Sequence, residues 1–239
     1  YKGFVGNDGT HSLSELPQAQ TTAVVDSDPG EYPITLSDGA ADNYELVYVE
    51  GAKLIVDKLT PLIDTTPIQV VYGNEPVALT SNNPDGVLRC TPADTTVARF
   101  ADGQVVIKNA GKTVLAVSQD ESAYYHASDT VEVELQVDKA MLTVAVADTS
   151  RLYREENPAF TFTYSGFVNN DDTTAISVRP VAATEAGVDA KVGEYVVKAS
   201  GAQSANYDFT YQDGTLFIRQ AASHLEMAAV DTLTYGQPL

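Results

Sequence analysis

The chain has 239 residues, room for two to three small domains when each needs on the order of 100 residues to bury its own core. Lysine and arginine total 14 against 33 aspartates and glutamates, a formal net charge of −19, so the surface repels phosphate backbones and anionic headgroups; neither nucleic acid nor direct membrane binding is expected. Tyrosine is frequent at 13, tryptophan absent and methionine rare at 2, with much valine and threonine, which favours pleated half-buried strands and predicts an all-β protein.

Taken in chain order, Tyr44, Leu46 and Tyr48 alternate with polar neighbours ahead of Glu50-Gly51 and read as a strand entering a tight turn. Residues 58–66, with Pro61 and then Pro67, read as a junction. Beyond it, residues 96–100, a turn at Asp102-Gly103, residues 104–107, a second turn near Gly111 and residues 113–117 predict three successive strands. From Val131 to Val137 apolar and charged residues alternate strictly, the pattern of a half-buried closing strand. Asp138-Lys139-Ala140 is the next junction. Strands are then expected at 141–147, 159–164 and 193–200, and a final hairpin is expected from Tyr207, Phe209 and Tyr211 through Asp213-Gly214 to residues 215–218.

The chain repeats itself at an offset of 163 residues. Tyr1, Gly3, Phe4, Val5, Asn7 and Asp8 recur as Tyr164, Gly166, Phe167, Val168, Asn170 and Asp171, and 23 of the 56 positions from Tyr1 to Val56 are identical without a gap. Tyr72-Gly73 likewise falls on Tyr235-Gly236. The repeating unit is thus a pair of domains. The expected layout is a first copy at 1–58 lacking its opening strands, an intervening domain at 59–139, a complete second copy at 140–220, and the start of another intervening domain at 221–239, arranged as tandem β-sandwiches in an elongated array. The chain opens at Tyr1 without a signal pattern, so an export signal or anchor is expected outside it.

The segments 164–171, 192–195 and 206–216 resemble the MBG-type domain of long bacterial surface proteins, notably of Bacteroidetes, and the first copy shares the pattern apart from Lys2, Gly6 and Lys53. The run 96–117, closed by 131–137, resembles bacterial Ig-like domains of intimin- and invasin-type stalks. The resemblance implies Ig-like sandwiches without catalytic residues in a secreted or cell-surface, outer-membrane-anchored protein, with adhesin-like spacing or presentation as the task.

The residues themselves offer little reactive chemistry. Cys90 has no second thiol and reads as a small buried hydrophobe. His11, His126 and His224 are solitary. Ser165-Gly166 aligns with Lys2-Gly3, which removes the serine from one copy, and no G-x-S-x-G occurs. The chain is therefore read as no enzyme and as needing no cofactor. Two binding readings remain. Calcium, a hard cation, would find oxygen ligands at Asn7, Asp8, Asn170 and Asp171, although Asn and Asp also serve plain turns there. Tyr124 and Tyr125, in an expected loop, offer rings for an unidentified glycan or protein ligand, the alternative to a pure spacer.

Overall fold

A computed structural model describes residues 1–226 and Tyr235. The further domain expected at 221–239 therefore lies, apart from 221–226 and Tyr235, outside the described residues. The chain falls into two compact units, one made of Tyr1–Ile68, Glu75–Ile107 and Lys112–Gln136, the other of Gln69–Asn74, Lys108–Gly111 and Val137–Leu239. Among the described residues regular structure is all β apart from two three-residue 3-10 turns at Thr10–Ser12 and Thr173–Ala175.

In the first copy, β1 (Gln18–Thr21), β2 (Gly30–Ser37) and β3 (Lys53–Val56) form an antiparallel sheet in that order. The intervening stretch supplies β4 (Ile68–Val71), β5 (Val77–Ala78), β6 (Leu88–Pro92), β7 (Ala98–Ala101), β8 (Gln104–Ile107), β9 (Gly111–Gln119) and β10 (Val131–Asp138), in two sheets of order β4-β10-β9-β6 and β5-β8-β7. The alternation expected for β10 is realised: Val133, Leu135 and Val137 are buried, as are Leu115 and Val117 on β9, while Ala98 and Val105 are buried on β7 and β8. The β7–β8 turn places Asp102 and Gly103 both at positive φ, 52° and 77°, as a two-residue hairpin requires. Gln119 caps this region from inside, its amide donating to the carbonyls of Asn83 and Gly86, each at 2.7 Å. Cys90, expected to be buried, is half-buried on β6, and burial pushes its thiol up from the ordinary value.

The second copy adds β11 (Ala140–Val146), β12 (Thr149–Leu152), β13 (Phe162–Ser165), β14 (Val181–Thr184), β15 (Gly193–Ser200), β16 (Tyr207–Gln212) and β17 (Gly214–Arg219). They form two sheets, β13-β11-β16 and β12-β17-β15-β14. Val146 of one sheet packs against Val197, Ala199, Leu216 and Ile218 of the other, so the pair is a sandwich around one apolar core. The expected final hairpin is not one. β16 pairs in parallel with β11 and β17 pairs with β15 and β12, so Asp213-Gly214 carries the chain from one sheet to the other. Gly214 is there for space: a Cβ on it would lie 2.6 Å from the carbonyl oxygen of Val146.

At the 163-residue offset β1, β2 and β3 fall on β14, β15 and part of β17. Residues 44–49, aligned with β16, form no strand, although their alternation predicted one. A lone alternating segment has no hydrogen-bonding neighbour, and β16 owes its state to β11. Burial diverges accordingly. Ile218 is 2% exposed and its counterpart Ile55 66%. Truncating Ile218→Ala should therefore cost the second copy about 3 kcal/mol, and Ile55→Ala less than about 1 kcal/mol, read from amide hydrogen exchange at Val197 and Ile34 in the two variants.

Candidate functional site

The feature with the most specific geometry begins as a turn. In the second copy Asn169 and Asn170 sit at φ 54° and 60°, and the Asp171 amide donates to the Val168 carbonyl at 2.9 Å. Asn and Asp tolerate that left-handed backbone, which explains their presence here without a ligand. The turn aims the Asp171 carboxylate at Tyr207, the first residue of β16, buried to 1%. The Tyr207 hydroxyl donates to Asp171 Oδ2 at 2.8 Å and accepts from the Val168 amide at 3.0 Å.

A second tyrosine shares the carboxylate. Tyr72, in the segment Gln69–Asn74 of the same unit, donates its hydroxyl to Asp171 Oδ2 at 3.0 Å. Its ring meets that of Tyr207 edge-on, with centroids 5.7 Å apart, and Phe167 meets Tyr207 likewise at 5.6 Å. Gly73 follows at φ 93°, and a Cβ there would come within 2.5 Å of Val168 Cγ2, so only glycine lets the backbone approach. Burial is the main cause that pushes the Tyr207 phenol up to about 12, with the hydrogen bond to Asp171 and its charge adding to it.

The first copy builds the same arrangement from the same residues. Tyr44 donates to Asp8 Oδ2 at 2.7 Å, accepts from the Val5 amide at 3.2 Å and meets Phe4 edge-on at 5.2 Å. Here Val5 is 75% exposed and Tyr44 is half-buried. The Tyr44 phenol is also raised, chiefly by its hydrogen bond to Asp8.

The Tyr-Asp pair thus recurs in both copies of one sequence pattern. The model of the MBG domain (YGX type) matches residues 1–54 and 142–217, more than half of the chain. The chain belongs to this family. No curated protein matches it. Among solved structures, Drosophila N-cadherin EC1-3 is 11% identical, over 80% of this chain and 76% of that one, with a TM-score of 0.26. The D00-D0 domain of intimin is 12% identical, over 67% and 98%, at 0.26, and the I9-I11 tandem of titin 12% identical, over 85% and 82%, at 0.30. At these identities and scores the likeness says nothing about function.

Within the MBG copies, then, three of the four residues expected to bind calcium have a role that needs no ion. Asp8 and Asp171 accept tyrosine hydroxyls, and Asn170 holds a turn. Among the described residues no group of three or more His, Cys, Asp or Glu is gathered that could hold a metal ion.

Tyr124 and Tyr125 lie outside the MBG copies. Tyr124 is 47% exposed, its hydroxyl donates to Asp28 Oδ1 at 2.9 Å, and its carbonyl accepts from the Leu59 amide at 2.8 Å. Tyr125 is half-buried and bridges to Leu59, while His126 Nε2 lies 3.0 Å from Asp57 Oδ1. The Tyr124 hydroxyl and the backbone of both residues are thus tied to neighbouring segments. An open groove of about 770 Å³ also marks the first copy, lined by Phe4, Leu36, Leu46 and Tyr48 among others. Sequence reading named Asp8 and Asp171, for a cation or for plain turns, and missed their tyrosine partners, although Tyr44 and Tyr207 recur at the same offset.

Two outcomes follow from this geometry. Between pH 10 and about 12 the folded state keeps a proton on Tyr207 that the unfolded chain, with a phenol near ~10, has lost. Stability of the second copy should be indifferent to this group below pH ~10 and fall as pH rises toward about 12, and Tyr207→Phe should remove that component of an alkaline melt. Calcium or a chelator should shift the melting temperature by less than ~1 °C, since the Asp171 carboxylate already accepts two hydroxyls; a shift of several degrees would restore the cation reading.

Proposed function

We propose that the chain is a non-catalytic structural repeat region of an exported bacterial protein, adhesin-like, which spaces or presents a module away from the cell surface. One observation carries this reading. The residues that the two MBG copies share build turns, hydrogen-bonded tyrosines and core, as Phe4, Asp8 and Tyr44 match Phe167, Asp171 and Tyr207. A binding or reacting module repeated this way would instead keep an exposed set of groups unneeded for folding. Cys90 supports the same reading, because a thiol raised by burial is a weaker nucleophile near neutral pH. The strong negative charge suits a chain that must stay soluble and unaggregated when crowded in tandem. Secretion or display at the surface, with anchoring at the outer membrane, belongs to this proposal too.

A second reading, a glycan- or protein-binding module, is favoured by the half-exposed ring of Tyr124 next to Tyr125. Tested on a panel of polysaccharides and extracellular matrix proteins, the chain is expected to give no saturable signal up to about 100 μM. Saturable binding that disappears in Tyr124→Ala would replace the spacer reading with the second. Antibody labelling of intact cells, expected to be positive before permeabilisation, checks the location.

A further inference from the structure

We propose that residues 57–67 are a strap that opens as one unit while β6 and β9 of the intervening domain stay paired, and so supplies reserve length between the first MBG copy and that domain. The strap begins where β3 ends at Val56 and stops where β4 starts at Ile68. Two contacts hold it. In the first, the Leu59 amide donates to the Tyr124 carbonyl at 2.8 Å and the His126 amide to the Leu59 carbonyl at 2.9 Å, a parallel bridge centred on Tyr125. Lys58 Nζ adds bonds to the Glu121 carboxylate and, at 2.7 Å, to the Ser122 carbonyl, and Asp57 Oδ1 lies 3.0 Å from His126 Nε2. In the second, the Leu62 amide donates to Asn82 Oδ1 at 2.7 Å, the Asn82 amide to the Leu62 carbonyl at 3.1 Å and the Asp64 amide to the Thr80 carbonyl at 2.9 Å.

Polar bonds rather than apolar burial keep the strap in place. Pro61 is its one buried residue, while Leu59 is 58% and Leu62 69% exposed. Leu115 and Val117 of β9 are fully buried by contrast. A segment with solvent-exposed hydrogen bonds and little buried apolar area opens at a lower free energy than the sheets behind it. Lys58 is the only cation in a strap that also carries Asp57 and Asp64, so its bonds to Glu121 and Ser122 are the electrostatic tie. The Glu121 side chain is largely exposed, which keeps that tie weak. The Tyr124 hydroxyl on Asp28 Oδ1, which joins the same region to the loop between β1 and β2, is exposed too and parts with the strap.

Asn83 links the two contacts. Its Oδ1 accepts from the Gly86 amide at 3.1 Å and from the Ser122 hydroxyl at 3.0 Å, yet its Nδ2 is buried with no hydrogen-bond partner among the described residues. Ser122 belongs to the first contact, and Asn82, its chain neighbour, to the second. A buried amide group without a partner costs free energy that water returns once its cover lifts. The closed strap is thus penalised at a point both contacts share, which favours their opening together. Fully extended, residues 57–67 span at most roughly 36–40 Å, a reach gained with β6 and β9 intact. The inference does not depend on the spacer function, because it concerns a local opening and not where the protein is displayed.

Amide hydrogen exchange of the full chain, read by NMR as protection factors at Leu59, Asp64, Leu115 and Val117, tests it. Leu59 and Asp64 should share one protection factor, at least ~100-fold below those of Leu115 and Val117. Lys58→Ala should lower the protection of Leu59 and Asp64 by a common factor of roughly three to ten, with Leu115 and Val117 unchanged. Asn82→Ala, which acts at the other contact, should do the same. Protection of Leu59 and Asp64 equal to that of Leu115 and Val117 overturns the proposal, because the strap then opens only with the whole domain. So does a variant that affects the amide of one contact alone, which would make them separate latches, and so does one that lowers Leu115 and Val117 by the same factor.

Discussion

Strand β11 is the element on which the second MBG copy depends. It lies between β13 and β16, pairs with β16 in parallel from Ala140 opposite Tyr207 to Ala145 opposite Gln212, and buries Leu142, Val144 and Val146. Parallel pairing cannot arise from a tight hairpin, so β16 reaches its place only after the chain has run through the other sheet. Once there, β16 delivers Tyr207 to Asp171, and the β13-β11-β16 sheet covers the inner face of β15 and β17. The first copy shows the same residues without such a strand among those described. Residues 44–49 stay irregular, and no residue before Pro61 is buried.

What survives that difference is equally instructive. The Tyr-Asp-Val geometry is the same in both copies although Tyr207 is buried and Tyr44 is not. Its hydrogen bonds therefore need the Asn-Asp turn brought to the tyrosine, but not the burial of that tyrosine. Burial then changes its energetic meaning. At the surface the phenol could exchange its partner for water at little cost, whereas inside it must be satisfied by protein, and the carboxylate that satisfies it also serves Tyr72.

Arg151 makes the related point for a charged group. It is 5% exposed, and its guanidinium donates to the Asn157 side chain and to the carbonyls of Gly187 and Leu152, so the ion sits in a frame of dipoles from two loops and its own strand. Such a frame rigidifies the sandwich edge beside β12 and has no reactive partner in it. Sites of this kind, built of tyrosine, asparagine and backbone, serve a protein whose work is to hold shape.

The sequence by itself determined the class, the repeat and the alternating strands. Period-two patterns in β9, β10 and β15 and the positive-φ turn at Asp102-Gly103 are local signals, readable because side-chain direction and turn geometry follow from neighbouring residues. It also singled out Asp8, Asp171 and the recurring tyrosines, but not that they bond to each other across 36 residues. Only the tertiary structure decided that β16 and β17 lie in different sheets, that residues 44–49 are no strand, and that Tyr72 joins the Asp171 carboxylate. Each of these turns on which distant segment stands alongside. A strand pattern specifies a face and a turn specifies a direction, while the neighbour is chosen by the long-range burial of β11, which no local window contains.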